Sequence, residues 1–409
     1  MRLPTREQLM ERLSALPSGA SLVSALDGVR GVHMVGGAVR DLLLGIERPL
    51  DLDLVVEGDA EPIGRLLVER LEGELRSHER FGTVTVVAGG ERIDLVTARR
   101  ERYAAPGALP EVEPGTLEQD LRRRDFSVHA IALALEPGER LGELSHVPEA
   151  LDDLAAGKLR VLHAGSFLDD PTRLLRLARY GARLGFEPDA QTAALANEAI
   201  AARALATVSG ARVGDELRLL LDEPSVVDGL ERCEALGLLA ALDDALRFDR
   251  APVERALSLT PPDGRRGLVA LAAVAQSVPA ERLRAWIDRL EFEAPERDRV
   301  IAAATLPMGL SESMRASSSR SALAALLAPI PVEAVAIAGA LGADDAARLW
   351  IDELRHVALE IDGDDLLAAG IAEGPEVGRA LAAALARKLD GEAVGREQEL
   401  RAALAAARG

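Results

Sequence analysis

The stretch "LDLDLVVEGD", residues 50–59, decides how the first part of the chain folds. Residues 51–56 read as a β-strand with two carboxylates, Asp51 and Asp53, set into an apolar run. Side chains two apart on a strand share a face and lie about 7 Å apart. Two unpaired carboxylates on a buried face are costly. The stretch therefore calls for an edge strand whose polar face meets water, or for a positive charge such as a divalent cation. Upstream, "GVHMVGG" (31–37) reads as a short strand ending in Gly36 and Gly37. "AVRDLLLG" (38–45) reads as a helix closed by Gly45. Residues 1–16 and 63–75 have helical spacing, and 82–89 and 92–99 read as paired strands rich in β-branched residues. "DFSVHAIALAL" (125–135) fits a strand or a buried helix equally. These segments predict a small mixed α/β unit.

Beyond residue 170 the pattern changes to Ala-, Leu- and Arg-rich helical segments broken at prolines such as Pro224, Pro261 and Pro329, with no convincing strand and no fixed repeat. At 409 residues the chain has room for two to four domains. Its formal net charge of −19 argues against a generic basic nucleic-acid binder but leaves room for local basic patches. Residues 1–184 carry 24 basic and 30 acidic residues, so the later part is the more acidic. Only Lys158 and Lys388 are lysines; arginine carries nearly all the positive charge. The single cysteine, Cys233, excludes an intramolecular disulfide and a cysteine-cluster metal site. No run reaches the length of a membrane helix, and the charged N-terminal segment lacks a signal-peptide core, so a cytoplasmic protein is expected, with no membrane partner.

Five constellations bear on chemistry. A glycine pair before a helix, Gly36–Gly37, lets backbone N–H groups approach a phosphate, with Arg40 one turn further on; a plain tight turn is the simpler reading. Asp51 and Asp53 suit two divalent ions that hold a nucleotide and activate a hydroxyl. Asp94, within "RIDLVTAR", completes a carboxylate triad if its strand neighbours theirs, or else pairs with Arg92 or Arg99. In "RRRDF" (122–126) the arginine forks suit phosphate oxygens, and Asp125 suits a ribose hydroxyl. In "DDPTRLLRLARYGARLGF" (169–186), Asp170 reads as an N-cap. Arg173, Arg176, Arg179 and Arg183 lack acidic neighbours on their own helix, so that face expects an anion.

Together these motifs resemble the nucleotidyltransferase superfamily, and closely the class II tRNA CCA-adding enzymes with their bacterial poly(A) polymerase relatives. The residues that carry the resemblance are "VGGAVRDLLLG", "LDLDLVV", "TARRERY", "RRRDFSVHAIAL" and "DDPTRLLRLARYGARLGF", in the family's order. Weaker likeness continues through "SGARVGDELRLLL" (209–221) to "IDGDDLLAAGIAEGPEVG" (361–378). The resemblance implies an α+β fold: a small mixed-sheet head over 1–148, a helical neck over 149–210, and an elongated all-α body and tail over 211–409. It implies addition of CCA to the tRNA 3′ end from CTP and ATP. Asp51 and Asp53 would hold Mg²⁺, with Asp94 as a third catalytic carboxylate. Gly36, Gly37 and Arg40 would meet the triphosphate, and Arg124 and Asp125 the nucleotide and its ribose. Asp170 and Arg173 would read the base edge, with Arg176 and Arg179 lining the same site.

Two departures stand out. His129 occupies a position where the family usually has Asn, and the template motif opens Asp169-Asp170 rather than Glu-Asp. The related alternatives are CC-only addition, A-only addition and poly(A) synthesis. "DLDLV" also resembles the nucleophile motif of haloacid-dehalogenase-like phosphatases, but that reading leaves the glycine turn, "RRRDF" and the arginine helix without a role. A non-catalytic RNA-binding scaffold would not need the paired carboxylates. The helical half has one histidine, His356, so an appended metal phosphohydrolase is not expected.

Overall fold

The computed structural model describes residues 3–46, 52–78, 83–136 and 138–408. The chain divides into two compact units, Met1–Ser209 and Gly210–Gly409.

The first unit opens with α1 (Arg6–Ala15), which starts on a reciprocal cap between Thr5 and Gln8. Then come α2 (Gly19–Ala25), β1 (Val32–Val35), α3 (Gly37–Leu44), β2 (Leu52–Val56) and α4 (Ala60–Leu71). They are followed by β3 (Glu74–His78), β4 (Thr83–Ala88), β5 (Glu91–Thr97) and the hairpin strands β6 (Arg99–Arg102) and β7 (Glu111–Pro114). Next are α5 (Leu117–Arg122), β8 (Ile131–Ala134) and β9 (Leu144–His146). The unit continues through α6 (Ala150–Ala156), β10 (Lys158–Leu159), α7 (Ser166–Asp169), α8 (Arg173–Leu184), β11 (Glu187–Pro188) and α9 (Ala190–Ala201).

Seven strands make one mixed sheet in the order β3-β4-β5-β2-β1-β8-β9. β2 and β5 run parallel; the other neighbouring pairs are antiparallel. Strand alternation sorts the faces. Leu52 and Leu54 stand beside Ile93 and Leu95, which stand beside Val86 and Val84. All six are buried, and Gly64 of α4 lies against Val84 and Leu75, so this is the face the helix covers. Asp53, Asp94 and Thr85 occupy the opposite face.

Three expectations are corrected here. The helix foreseen over 63–75 ends at Leu71, because Glu72 takes a left-handed conformation (φ 53°), and the chain returns as β3 to pair with β4. Residues 127–129 form a single 3-10 turn before β8, which resolves the ambiguity over 125–135 in favour of a strand. One short strand does follow residue 170: β11 pairs in parallel with β10. Two residues of pairing leave no periodicity to read.

In the second unit, every regular element among the described residues is helical, from Gly210–Leu221 to Arg396–Arg408. Gly210 and Gly214 explain how its first helix docks. A Cβ on either would stand 1.9 Å from the Arg289 carbonyl oxygen or 2.0 Å from that of Leu290, so only glycine permits the approach. Near the C-terminus, Ile361, Leu366, Ala380, Ala384 and Ala403 form a core built mostly of small side chains. Among the described residues, no helix is long and apolar enough to cross a membrane.

Candidate nucleotide site

Asp53 is the one carboxylate of β2, and its Cα pairs in register with that of Asp94 on β5. The two side chains therefore stand side by side on the sheet face that α4 does not cover. β2 is an inner strand, yet Asp53 is exposed. The strand is central, but this face opens to solvent at Asp53. Asp51 lies outside the described residues. Asp94 is half-buried and accepts from the Thr85 hydroxyl at 2.6 Å and from Arg92 Nε at 3.1 Å. Asp94 thus pairs with Arg92 and also stands beside Asp53 on the neighbouring strand. Among the described residues, no three His, Cys, Asp or Glu side chains gather as a ready metal site. The donor set at Asp53 and Asp94, two adjacent carboxylates on an accessible face, fits a hard divalent cation.

The register of β1 against β2 brings Val35, continued by one residue, level with Asp53. The glycine turn therefore follows directly beside the carboxylates. Gly36 adopts φ 71°, ψ −135°, a conformation that only glycine takes readily, and a Cβ there would meet Arg124 Nη1 at 3.1 Å. The turn and the "RRRDF" loop are thus in contact. Gly37 starts α3 with its Cα facing the Arg40 guanidinium.

Arg40 does not reach toward a ligand from this turn. It is 2% exposed, donates from Nε to Asp41 Oδ1 at 2.8 Å, and places Nη1 2.5 Å from His129 Nε2. In the structure this arginine is held inside the protein, behind the glycine turn. His129 Nδ1 lies 2.8 Å from Asp125 Oδ1, and Asp125 Oδ2 faces Arg176 Nη1 at 3.5 Å. Burial alone would raise the Asp125 carboxyl. His129, Arg176 and Arg173 outweigh it and hold Asp125 well below the usual carboxylate range. Burial keeps the His129 imidazole below its ordinary pKa against the pull of Asp125, and Arg40 and Arg124 add to the lowering.

Asp120 anchors the arginine loop, and sequence reasoning missed it. It is fully buried in α5 and accepts from Arg123 Nη2 at 2.7 Å and Arg124 Nη2 at 2.9 Å. Burial works to raise its carboxyl, but the two guanidiniums prevail and lower it. The signal was present as acid-to-arginine spacings of three and four on one helix face. Glu101 is a second missed anchor, accepting from Arg99, Arg123 and the Tyr103 hydroxyl. Burial, with the Glu101 charge next to it, pushes the Tyr103 phenol up to about 12.

At the start of α8, the Asp170 carboxylate accepts from the Thr172 backbone N–H at 3.1 Å and from its hydroxyl at 2.6 Å. Thr172, not Asp170, occupies the cap position, so Asp170 caps the turn that leads into the helix. Arg173 is buried and donates to Ser166 Oγ at 2.7 Å and to the Arg123 carbonyl at 2.8 Å. The arginines of α8 are not left to solvent: Arg176 meets Asp125 from another element, and Arg179 lies over the Tyr180 ring, 4.4 Å from its centroid. The structure therefore gathers Gly36, Arg40, Arg124, Asp125, Arg173 and Arg176 around one loop. Asp170 and Arg179 lie on the adjoining turn and helix.

A mixed sheet with neighbouring carboxylates on an open face, beside a glycine turn and an arginine-bearing helix, defines a nucleotidyltransferase-type head. The family model described as "Poly A polymerase head domain" matches residues 32–160. The chain is 34% identical to the CC-adding tRNA nucleotidyltransferase of Deinococcus radiodurans over 93% of its own length and 91% of the relative's. It is 33% identical to the A-adding tRNA nucleotidyltransferase of Geobacter sulfurreducens over 91% of this chain and 45% of that one. The chain spans half or less of the A-adding relatives it matches. The solved structure of the Thermotoga maritima CCA-adding enzyme complexed with tRNA superposes with a TM-score of 0.77 at 27% identity, covering 99% of each chain. The chain belongs to the class II tRNA nucleotidyltransferase family.

Proposed function

We propose that the protein adds nucleotides to the 3′ end of tRNA without a nucleic-acid template, using CTP and ATP and releasing pyrophosphate. The observation that carries this reading is the in-register pairing of Asp53 with Asp94 on an open face, beside the Gly36 turn. Asp53 and Asp94, with Asp51, would hold Mg²⁺. When bound, the ion supplies charge neutralisation at the triphosphate and an activated hydroxyl. Backbone N–H groups at the start of α3 and the Arg124 fork receive phosphate oxygens. Asp125, kept ionised, accepts from the ribose.

Asp170 and Arg173 read the base. An acceptor beside a donor matches an amino group next to an unprotonated ring nitrogen on the Watson–Crick edge, which C and A present; U and G present there a carbonyl next to a protonated ring nitrogen. The Ser166 and Arg123 bonds hold the Arg173 fork in one orientation for this task. tRNA is then held by local basic or shape-complementary surfaces.

The nucleotide choice is full CCA in this proposal. Relatives named for A-adding, CC-adding and CCA-adding activity all match this chain. Incubation with Mg²⁺ and tRNA lacking its 3′ end, with CTP and ATP supplied separately and together, followed by sequencing of the ends, tests it. Full CCA is the expected product. Termination at CC with both nucleotides present assigns CC addition, and a single A placed only on tRNA ending in CC assigns A addition. Long A tails assign poly(A) synthesis. No incorporation at all contradicts the proposal.

A further inference from the structure

We infer that His129 is a positioning residue for nucleotide binding: its imidazole joins Arg40 behind the glycine turn to Asp125 in the arginine loop. The inference rests on the proposed nucleotide site. The geometry dictates the tautomer. A guanidinium only donates, so the 2.5 Å contact with Arg40 Nη1 makes His129 Nε2 the acceptor. The ring proton then sits on Nδ1, where it donates to Asp125 Oδ1 at 2.8 Å. Arg40 is itself fixed by Asp41 through two nitrogens, and Asp125 faces Arg176.

One line of polar contacts, Asp41–Arg40–His129–Asp125–Arg176, therefore connects the first turns of α3 to the first turn of α8. Tyr180 packs edge-on against the imidazole, with ring centroids 4.3 Å apart, and Phe126 closes another side at 6.0 Å. The ring is 5% exposed and has no room to turn. The charged and titratable groups around it are Arg40 and Asp41 from α3, Arg124 and Asp125 from its own loop, and Arg176, Arg179 and Tyr180 from α8.

Imidazole suits this bridge because its two nitrogens sit at different reaches from the backbone. The δ position serves Asp125 and the ε position serves Arg40. An Asn amide places both polar atoms at the δ position and a Gln amide places both at the ε position, so each keeps one end of the bridge. Loss of both ends frees Asp125 to rotate and lets α3 relax against the loop, which weakens the nucleotide complex without touching the reacting atoms.

His129→Leu, His129→Asn and His129→Gln are compared with the wild type for CTP and ATP incorporation and for CTP binding by calorimetry. The expected result for His129→Leu is a KM for both nucleotides raised about ten-fold, with a much smaller change in kcat. Asn and Gln each recover part of that loss. A Leu variant with wild-type KM, or three variants that are equally impaired, overturns the inference. Because Leu carries a risk to folding, the wild-type histidine tautomer is also read from its ring nitrogen shifts by NMR. A protonated Nδ1 with an accepting Nε2 supports the bridge, and a protonated Nε2 overturns it. A wild type that binds CTP but incorporates nothing counts against the proposed function alone.

Discussion

Asp120 shows how a single buried carboxylate organises a binding loop. Its two oxygens neutralise Arg123 and Arg124 and orient both forks, while the Arg123 carbonyl holds Arg173. Removing it leaves two partly buried guanidiniums facing each other with no shared acid. Asp120→Ala is expected to destabilise the protein by about 3–5 kcal/mol, as measured by urea unfolding, because one partner of a buried ion network has been taken away. A loss below about 1 kcal/mol would mean that Glu101 alone suffices to hold Arg123. The same scale explains what the sequence displayed of the site and what it hid. Asp53, Asp125 and the glycine pair were legible because residue type and spacing define them. The burial of Arg40 was not, because its partner His129 is a long-range neighbour whose side chain reaches it only in the folded state. His129 stood out as a departure from the family pattern, but nothing local named Arg40 as its partner.

Elements carry the next layer. The pairing of Asp53 with Asp94 depends on β2 and β5 being parallel neighbours, a relation that alternation within either strand cannot reveal. The seven-stranded sheet was legible as a mixed sheet, since most of its strands are apolar and β-branched. β3 was missed because "ELRSH" is polar and follows a helix without a proline break. In the second unit, Gly214 shows close helix packing that composition alone does not signal. Gly214→Ala puts a methyl into the Leu290 carbonyl, so the helix Gly210–Leu221 must shift. The expected cost is about 1–3 kcal/mol, visible as a lower midpoint in chemical denaturation. An unchanged midpoint would mean that the helix relaxes freely there, contrary to the contact.

At the scale of the whole molecule, a chain of net charge −19 belongs to a family whose substrates are polyanions. Arginines gathered in the loop at 122–124 and on α8 of the first unit reconcile the two, because the field that matters is local and the remaining acidic surface is screened within about 10 Å at ordinary salt. Relatives named for three different nucleotide choices all match this chain. The proposed reaction depends on the carboxylates of the open sheet face. The most direct measurement is incorporation of CTP and ATP into tRNA lacking its 3′ end by Asp53→Ala, with tRNA binding measured in parallel. Binding is expected to be retained and incorporation to fall by about 10³-fold or more, the equivalent of several kcal/mol of metal-dependent stabilisation. Incorporation at the wild-type rate by Asp53→Ala would contradict that dependence.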